Sequence, residues 1–258
     1  MVELETFQMV SSILKNNRLV RVYLPKNYSK SESKRYPVLY MHDGQNVFQD
    51  RDAIGGVSLD VEKYVETNDI DIIIVAIDQV AEERKNEYCP WESGEYVKKL
   101  TGNCASYGGK GKQYVEFIVH ELKPTIDSNY RTISDNSMMA GISLGGLITI
   151  YAACKYPHLF RTIICISSSF WANQEEIEKL IDESDLTPIK SIYLDCGTNE
   201  AGEGTKLSDE FKESNQIIYN KLRDKILHTR FVVIQDAEHS YRFFKRRNRE
   251  LFLSIQKM

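Results

Sequence analysis

The 258-residue chain has no uninterrupted apolar run approaching the ~20 residues needed to cross a bilayer as a helix. Its longest such run, residues 72–77, is short enough to read as a buried strand. It also lacks any C-x-x-C pair. The five cysteines, Cys89, Cys104, Cys154, Cys165 and Cys196, are odd in number, which argues against a disulfide framework or a zinc ribbon. There is no excess of charge of one sign: a net charge of -4 gives no general attraction to phosphate backbones or anionic membranes, so neither nucleic acid nor membrane is expected as a partner. Internal repeats, low-complexity segments and Pro/Gly/Ser-rich linkers are missing as well, which makes one domain over 1–258 the expectation. The opening MVELETFQMV carries two carboxylates and no long apolar core, unlike a secretory signal. With reduced thiols, that leads us to expect a cytoplasmic protein.

What is present is ordinary globular material, with 42% hydrophobic and 27% charged residues, and a length sufficient for a full core. Residues 6–14 and 18–24 carry β-branched and alternating apolar residues and read as strands, broken by Pro25-Lys26-Asn27. Further strands are expected at 36–41, 71–77, 137–142, 162–166, 191–195 and 230–234. Ser58 is a candidate cap for a helix through Glu66. Tyr114, Phe117, Ile118 and Leu122 fall at helical spacing, and other helices are expected at 144–155 and from about 174, 208 and 241. Between Asp78 and about residue 112 lies a stretch without clean period, rich in Glu, Tyr, Trp, Gly and Cys, which reads as a long functional loop insertion. Opening strands followed by alternating β and α predict an α/β fold: a mostly parallel central sheet with helices on both faces. In such sheets chemistry collects at the carboxyl ends of the strands.

The sharpest motif falls there. Gly141-Ile142-Ser143-Leu144-Gly145 matches G-x-S-x-G, with an apolar strand before it and an apolar helix after it. Lifting a hydroxyl off a sheet requires a strand-to-helix turn within a few residues. The glycines leave room for that turn, and the N–H of Leu144 is left unpaired at a helix N-terminus, aimed at a developing oxyanion. A nucleophilic serine needs a base. Of the five histidines, His239 alone lies in a loop after the last strand, in the order Ser, acid, His that the α/β-hydrolase fold uses. His120 and His158 read as solvated helix residues. The acid should follow the penultimate strand. Glu200, beyond the Gly197 turn, is the first choice and Asp195, at the strand end, the second. His42-Asp43-Gly44-Gln45-Asn46 follows the third strand, where the N–H of Gln45 is the candidate second oxyanion donor and Asp43 reads as a turn carboxylate. Trp171, Trp91, Tyr88 and Tyr107 are candidate lining residues of a substrate pocket.

Two patterns are set aside. Gly108-Gly109-Lys110-Gly111-Lys112 is followed by Gln113 where a phosphate loop requires Ser or Thr. Lys245-Arg246-Arg247 with Arg249 shares its segment with Phe244, Leu251 and Ile255, so a solvated terminal helix is the simpler account.

Taken together, the residues from about Arg18 to Phe252 resemble the putative esterase family, which groups esterase D-like, enterochelin esterase-like and feruloyl or acetyl-xylan esterase-like hydrolases with the mycolyltransferases. The resemblance is carried by Tyr40-Met41-His42-Asp43-Gly44-Gln45-Asn46-Val47-Phe48, by Arg84 with Glu87-Tyr88-Cys89-Pro90-Trp91, and by Glu121-Leu122-Lys123-Pro124 with Tyr130-Arg131-Thr132. The Ser143 turn, Ser168-Ser169-Phe170-Trp171 and Gly197-Thr198-Asn199-Glu200 complete it. It implies the α/β-hydrolase fold, a triad of Ser143, Glu200 and His239, and oxyanion donors at Gln45 and Leu144. Family members often have Asp where Glu200 stands, so the acid loop departs from the common pattern. The expected activity is hydrolysis of a small carboxylic ester through an acyl-enzyme, with no metal or organic cofactor. Acyl transfer to another acceptor, thioester hydrolysis, or a binding protein that keeps the fold without catalysis are the alternatives. Oligomeric state, a homo-oligomer included, is left open.

Overall fold

The computed structural model describes residues 3–256 apart from 95, 96, 99, 101 and 103–105, so Cys104 lies outside the described residues. Eight strands form one sheet: β1 (Glu3–Ser11), β2 (Asn16–Leu24), β3 (Tyr36–His42), β4 (Ile73–Ile77), β5 (Thr132–Ile142), β6 (Phe160–Ile166), β7 (Ser191–Gly197) and β8 (His228–Ile234). Their order across the sheet is β1-β2-β4-β3-β5-β6-β7-β8. β2 is antiparallel to both β1 and β4, and every later pairing is parallel. This is the α/β-hydrolase architecture expected from the sequence.

Parallel strands covered on both sides should be apolar at every position, and β4 shows why the longest apolar run is a strand. Ile73, Val75 and Ile77 enter one buried cluster, and Ile72, Ile74 and Ala76 enter the cluster on the opposite face. The helices divide accordingly. On one side lie α1 (Val61–Thr67) and, at the chain end, two helices described below. On the other lies α2 (Arg84–Tyr88), followed by α3 (Gly111–Phe117), which runs through a π-helical turn (Ile118–Leu122) into α4 (Lys123–Asn129). That same side also holds α5 (Leu144–Lys155), α6 (Gln174–Glu183) and α7 (Lys206–Arg223). The π turn has a physical reason. Pro124 removes an N–H and its ring crowds the preceding turn, and widening the helix just before it lets the element continue to Asn129. The last helices are α8 (Tyr241–Lys245) and α9 (Asn248–Gln256), whose Phe244, Leu251, Phe252 and Ile255 are buried.

Three local expectations need correction. The first strand ends at Ser11, not at residue 14, because residues 12–15 make the turn into β2. The Glu121 carboxylate holds that turn, accepting from Ser11 Oγ (2.6 Å) and Ser12 N–H (3.0 Å). Ser58 does not cap α1: its hydroxyl donates to Asp50 (2.7 Å) and accepts from the N–H of Asp60 (3.2 Å), so it ties down the preceding loop, and the helix starts at Val61. The insertion after β4 is not free of structure. It contains α2 and folds back on itself through Gly109 N–H to Cys89 O (2.9 Å) and Ser93 N–H to Tyr107 O (2.7 Å). A buried ion pair between Arg18 and Glu87 fastens it to β2.

Candidate active site

β5 ends at Ile142 and α5 begins at Leu144, so Ser143 alone makes the turn. It adopts φ 61° and ψ -127°, a conformation a side-chain-bearing residue rarely takes and one that costs of order 1–3 kcal/mol. Three backbone hydrogen bonds hold it: Ser143 N–H to Ile166 O, and the N–H groups of Gly146 and Ser169 to Ser143 O, each 3.0 Å. The crowded glycines are Gly141, where a Cβ would strike the Gly145 carbonyl, and Gly146, where it would strike Ser168 Oγ. At Gly145, expected to be crowded, a Cβ would stand 3.6 Å from His42, an ordinary contact. Beneath the turn His42 is buried, with Nδ1 at 2.9 Å from Tyr114 Oη and Nε2 at 3.1 Å from Thr149 Oγ1; burial lowers it to about 4, so it is neutral and structural.

The two candidate oxyanion donors lie at a helix start and in a 3-10 turn. Leu144 is the first residue of α5 and has no preceding helical carbonyl to bond. Gln45 sits in a single 3-10 turn after β3, where its side chain is engaged with Gln79 (N–H of Gln79 to Oε1, 3.1 Å) while its own N–H donates to no described residue. The loop is fixed from below by Asp43, which holds Arg84 through two bonds of 2.8 Å and whose N–H donates to Tyr88 Oη (3.1 Å). Asp43 is thus a structural carboxylate, as its place in the turn suggested.

The carboxyl ends of β7 and β8 bring Glu200 and His239 together. His239 Nδ1 lies 2.7 Å from Glu200 Oε2, and His239 N–H donates to Glu200 O (3.2 Å). Glu200 Oε1 accepts from Gly197 N–H and Ser167 Oγ, each 2.5 Å. Burial alone would raise the Glu200 carboxyl, but the bonds from His239, Ser167 and Gly197 outweigh it and hold it below the usual carboxylate range. The imidazole packs between Phe211 (5.0 Å between ring centres) and Phe244 (5.1 Å). Asp195, the second-choice acid, points elsewhere: its carboxylate takes Arg247 Nη1 (2.7 Å) and Tyr193 Oη (3.0 Å). Burial pushes it up to about 6 against the pull of those partners.

Ser143 Oγ is hydrogen bonded to Ser169 Oγ at 3.1 Å, and no hydrogen bond joins it to His239. The segment 167–169 stitches the two halves of the site, with Ser169 on the Ser143 side and Ser167 on the Glu200 side. Neither serine was singled out for a role by the sequence. Arg247 was misread: instead of a solvated basic patch it is 3% exposed and wired to Asp195 and to Ser167 Oγ (2.6 Å). Arg247 lies in the turn between α8 and α9, so no helical spacing marked it as buried.

The four aromatic candidates divide. Trp171 packs edge-on against Phe211 (5.8 Å) and lines a groove of about 540 Å³ with Asn173 and Ser214. Trp91 is half-buried against Tyr151, and Tyr107 is half-buried with Lys85 over its ring. Tyr88 is fully buried between His42 and Tyr114, so it supports the Asp43 loop and lines no open pocket. A larger cavity of about 930 Å³ opens among Arg161, Ile192, Tyr193 and Arg230, at the amino ends of β6–β8 and away from Ser143. Among the described residues no group of three or more His, Cys, Asp or Glu side chains could hold a metal ion, and no helix is long and apolar enough to cross a membrane.

A family model described as "Putative esterase" matches residues 11–247. The chain is similar to the uncharacterized protein YbbA of Bacillus subtilis (strain 168), 28% identical over 212 residues, or 81% of this chain and 79% of YbbA. It is also similar to the ferri-bacillibactin esterase BesA of the same organism, 25% identical over 209 residues, or 76% of this chain and 71% of BesA. Among solved structures, an IroE-like serine hydrolase from Shewanella oneidensis shares the fold with a TM-score of 0.76 at 21% identity, over 98% of this chain and 79% of that one. The match runs from the end of β1 to Arg247 and takes in every element of the site, so this chain belongs to the Putative esterase family and is a hydrolase acting on ester bonds.

Proposed function

We propose that the chain is a serine carboxylesterase that hydrolyses a small carboxylic ester through an acyl-enzyme, with Ser143 as nucleophile, His239 as base and Glu200 as acid. The observation that carries the reading is the 2.7 Å bond between His239 Nδ1 and the buried Glu200 carboxylate. A carboxylate can only accept there, so Nδ1 carries the proton and Nε2 is left as the basic nitrogen. When an ester carbonyl approaches, Ser143 Oγ exchanges its bond to Ser169 for one to Nε2, a tightening common on substrate binding. His239 takes the proton as Oγ attacks, and Glu200 stabilises the imidazolium. The N–H groups of Leu144 and Gln45 receive the oxyanion, each such donor being worth about 10²–10³ in rate. His239 then protonates the leaving alcohol, and the same imidazole activates the water that releases the acid. Trp171, which lines the groove, would contact the acyl or alcohol portion.

A fluorophosphonate probe tests this directly, alongside a panel of p-nitrophenyl esters of graded acyl length. Labelling and turnover in the native protein, both abolished in Ser143→Ala, are expected. A native protein that neither labels nor turns over any ester would defeat the reading.

A further inference from the structure

Ser167 follows the end of β6 and is fully buried, yet its backbone lies in the left-handed region at φ 45°. A residue with a Cβ is held there only by surroundings that over-determine it. Its N–H donates to Asp195 O (2.9 Å), which fixes the backbone. Its hydroxyl sits between two charged groups, 2.6 Å from Arg247 Nη1 and 2.5 Å from Glu200 Oε1. A guanidinium only donates and an ionised carboxylate only accepts, so the hydroxyl proton has one place to go and the bonds run Arg247 to Ser167 to Glu200. The same Nη1 also donates to Asp195, while Arg247 Nε and Nη2 have no partner.

We propose that Ser167 is a positioning residue for the triad acid: its hydroxyl, oriented by Arg247, fixes the Glu200 carboxylate in the rotamer that presents Oε2 to His239. The inference rests on the triad reading above. It also accounts for a glutamate in this place. Glutamate has one more rotatable bond than aspartate, so its carboxylate needs an anchor on the far oxygen. Ser167 and the Gly197 N–H supply that anchor and leave the near oxygen for the imidazole. Ser167 touches neither substrate nor any reacting atom, so its effect belongs in turnover and not in binding.

The test compares Ser167→Ala and Ser167→Gly with the native enzyme in kcat, KM and melting temperature on one p-nitrophenyl ester, after Ser143→Ala has established that turnover depends on Ser143. Both variants lose the hydroxyl, but glycine also relieves the left-handed backbone. If the hydroxyl positions Glu200, both lose kcat by about 10- to 100-fold, the range for a hydrogen bond to a charged group, with KM within twofold and Ser167→Gly melting no lower than Ser167→Ala. Native kcat in both variants overturns the proposal. So does recovery in Ser167→Gly of a loss seen in Ser167→Ala, because that would assign the effect to the backbone. If Ser143→Ala is as active as the native protein, the triad reading fails first and takes this inference with it.

Discussion

The two halves of the site are built by different means. The Ser143 half is a backbone device: one residue at φ 61°, two glycines where an added Cβ would force a shift, and N–H groups at the start of a helix and in a 3-10 turn. The Glu200–His239 half is a side-chain device. Its geometry depends on a buried network of Ser167, Asp195, Tyr193 and Arg247, drawn from β7, the residue after β6 and the turn between α8 and α9. A backbone device is compact and writes itself into a few consecutive residues. A side-chain network tunes charge, and its parts are scattered.

The comparison breaks most visibly at Ser143. Ser143→Ala keeps the turn and removes the attacking atom, and turnover should fall on the order of 10⁴-fold or more, as in other triads. Labelling and steady-state kinetics check it, and near-native turnover would discard the serine mechanism. The two carboxylates at the end of β7 come next. Glu200→Gln should lower kcat by about 10³- to 10⁴-fold, since an amide no longer holds the reactive tautomer of His239. Asp195→Asn should cost turnover far less, because Asp195 bonds Arg247 and Tyr193 and makes no bond to His239. Equal losses of kcat in the two variants would erase the distinction between acid and support.

The difference also explains what the sequence could disclose. The succession of strands along the chain, the Ser143 turn and the histidine after the last strand are local patterns or consequences of chain order, and they were legible. Glu200 was preferred to Asp195 because a residue beyond the Gly197 turn reaches farther, and the structure brings it to His239. Arg247 was not read correctly because its partner Asp195 lies 52 residues earlier and a basic run resembles a solvated one wherever its partners are distant. Tyr88 was placed in a pocket because an aromatic residue in an irregular segment looks exposed. The buried Arg18–Glu87 pair that pulls the segment onto the core has no local sign. Ser58 failed as a cap because the helix begins only at Val61, so its hydroxyl accepts from the N–H of Asp60 ahead of the first helical turn.

The backbone half should be the less tolerant of added bulk. Gly146→Ala places a methyl against Ser168 Oγ, and Gly141→Ala places one against the Gly145 carbonyl. Each should cost about 1–3 kcal/mol, the range for overpacking. Gly141→Ala should be the worse of the two, because a backbone carbonyl cannot rotate away as a hydroxyl can. Gly145→Ala, with 3.6 Å of clearance, is the internal control and should melt close to the native protein. Melting temperatures of the three variants decide it, and a Gly145→Ala loss matching the others would mean that the clearance does not govern tolerance.

A gradual effect concerns pH and the support beneath the turn. His42 is lowered to about 4 by burial, below its ordinary 6.5. Between those values the unfolded chain binds a proton that the folded protein refuses, so this group's contribution is fully present above about 6.5 and fades as pH falls toward 4. At full effect it is about 3 kcal/mol. Asp195, raised to about 6, works the other way in the same window, since burial makes its charge unfavourable as pH rises. The two oppose each other, so the native melting temperature alone is a poor reporter. The difference between native protein and His42→Asn isolates the imidazole: the native advantage should shrink steadily from pH 7 to pH 4.5. If that difference stays constant over the range, His42 does not titrate as a buried neutral group, and burial is not what keeps the floor of the turn uncharged.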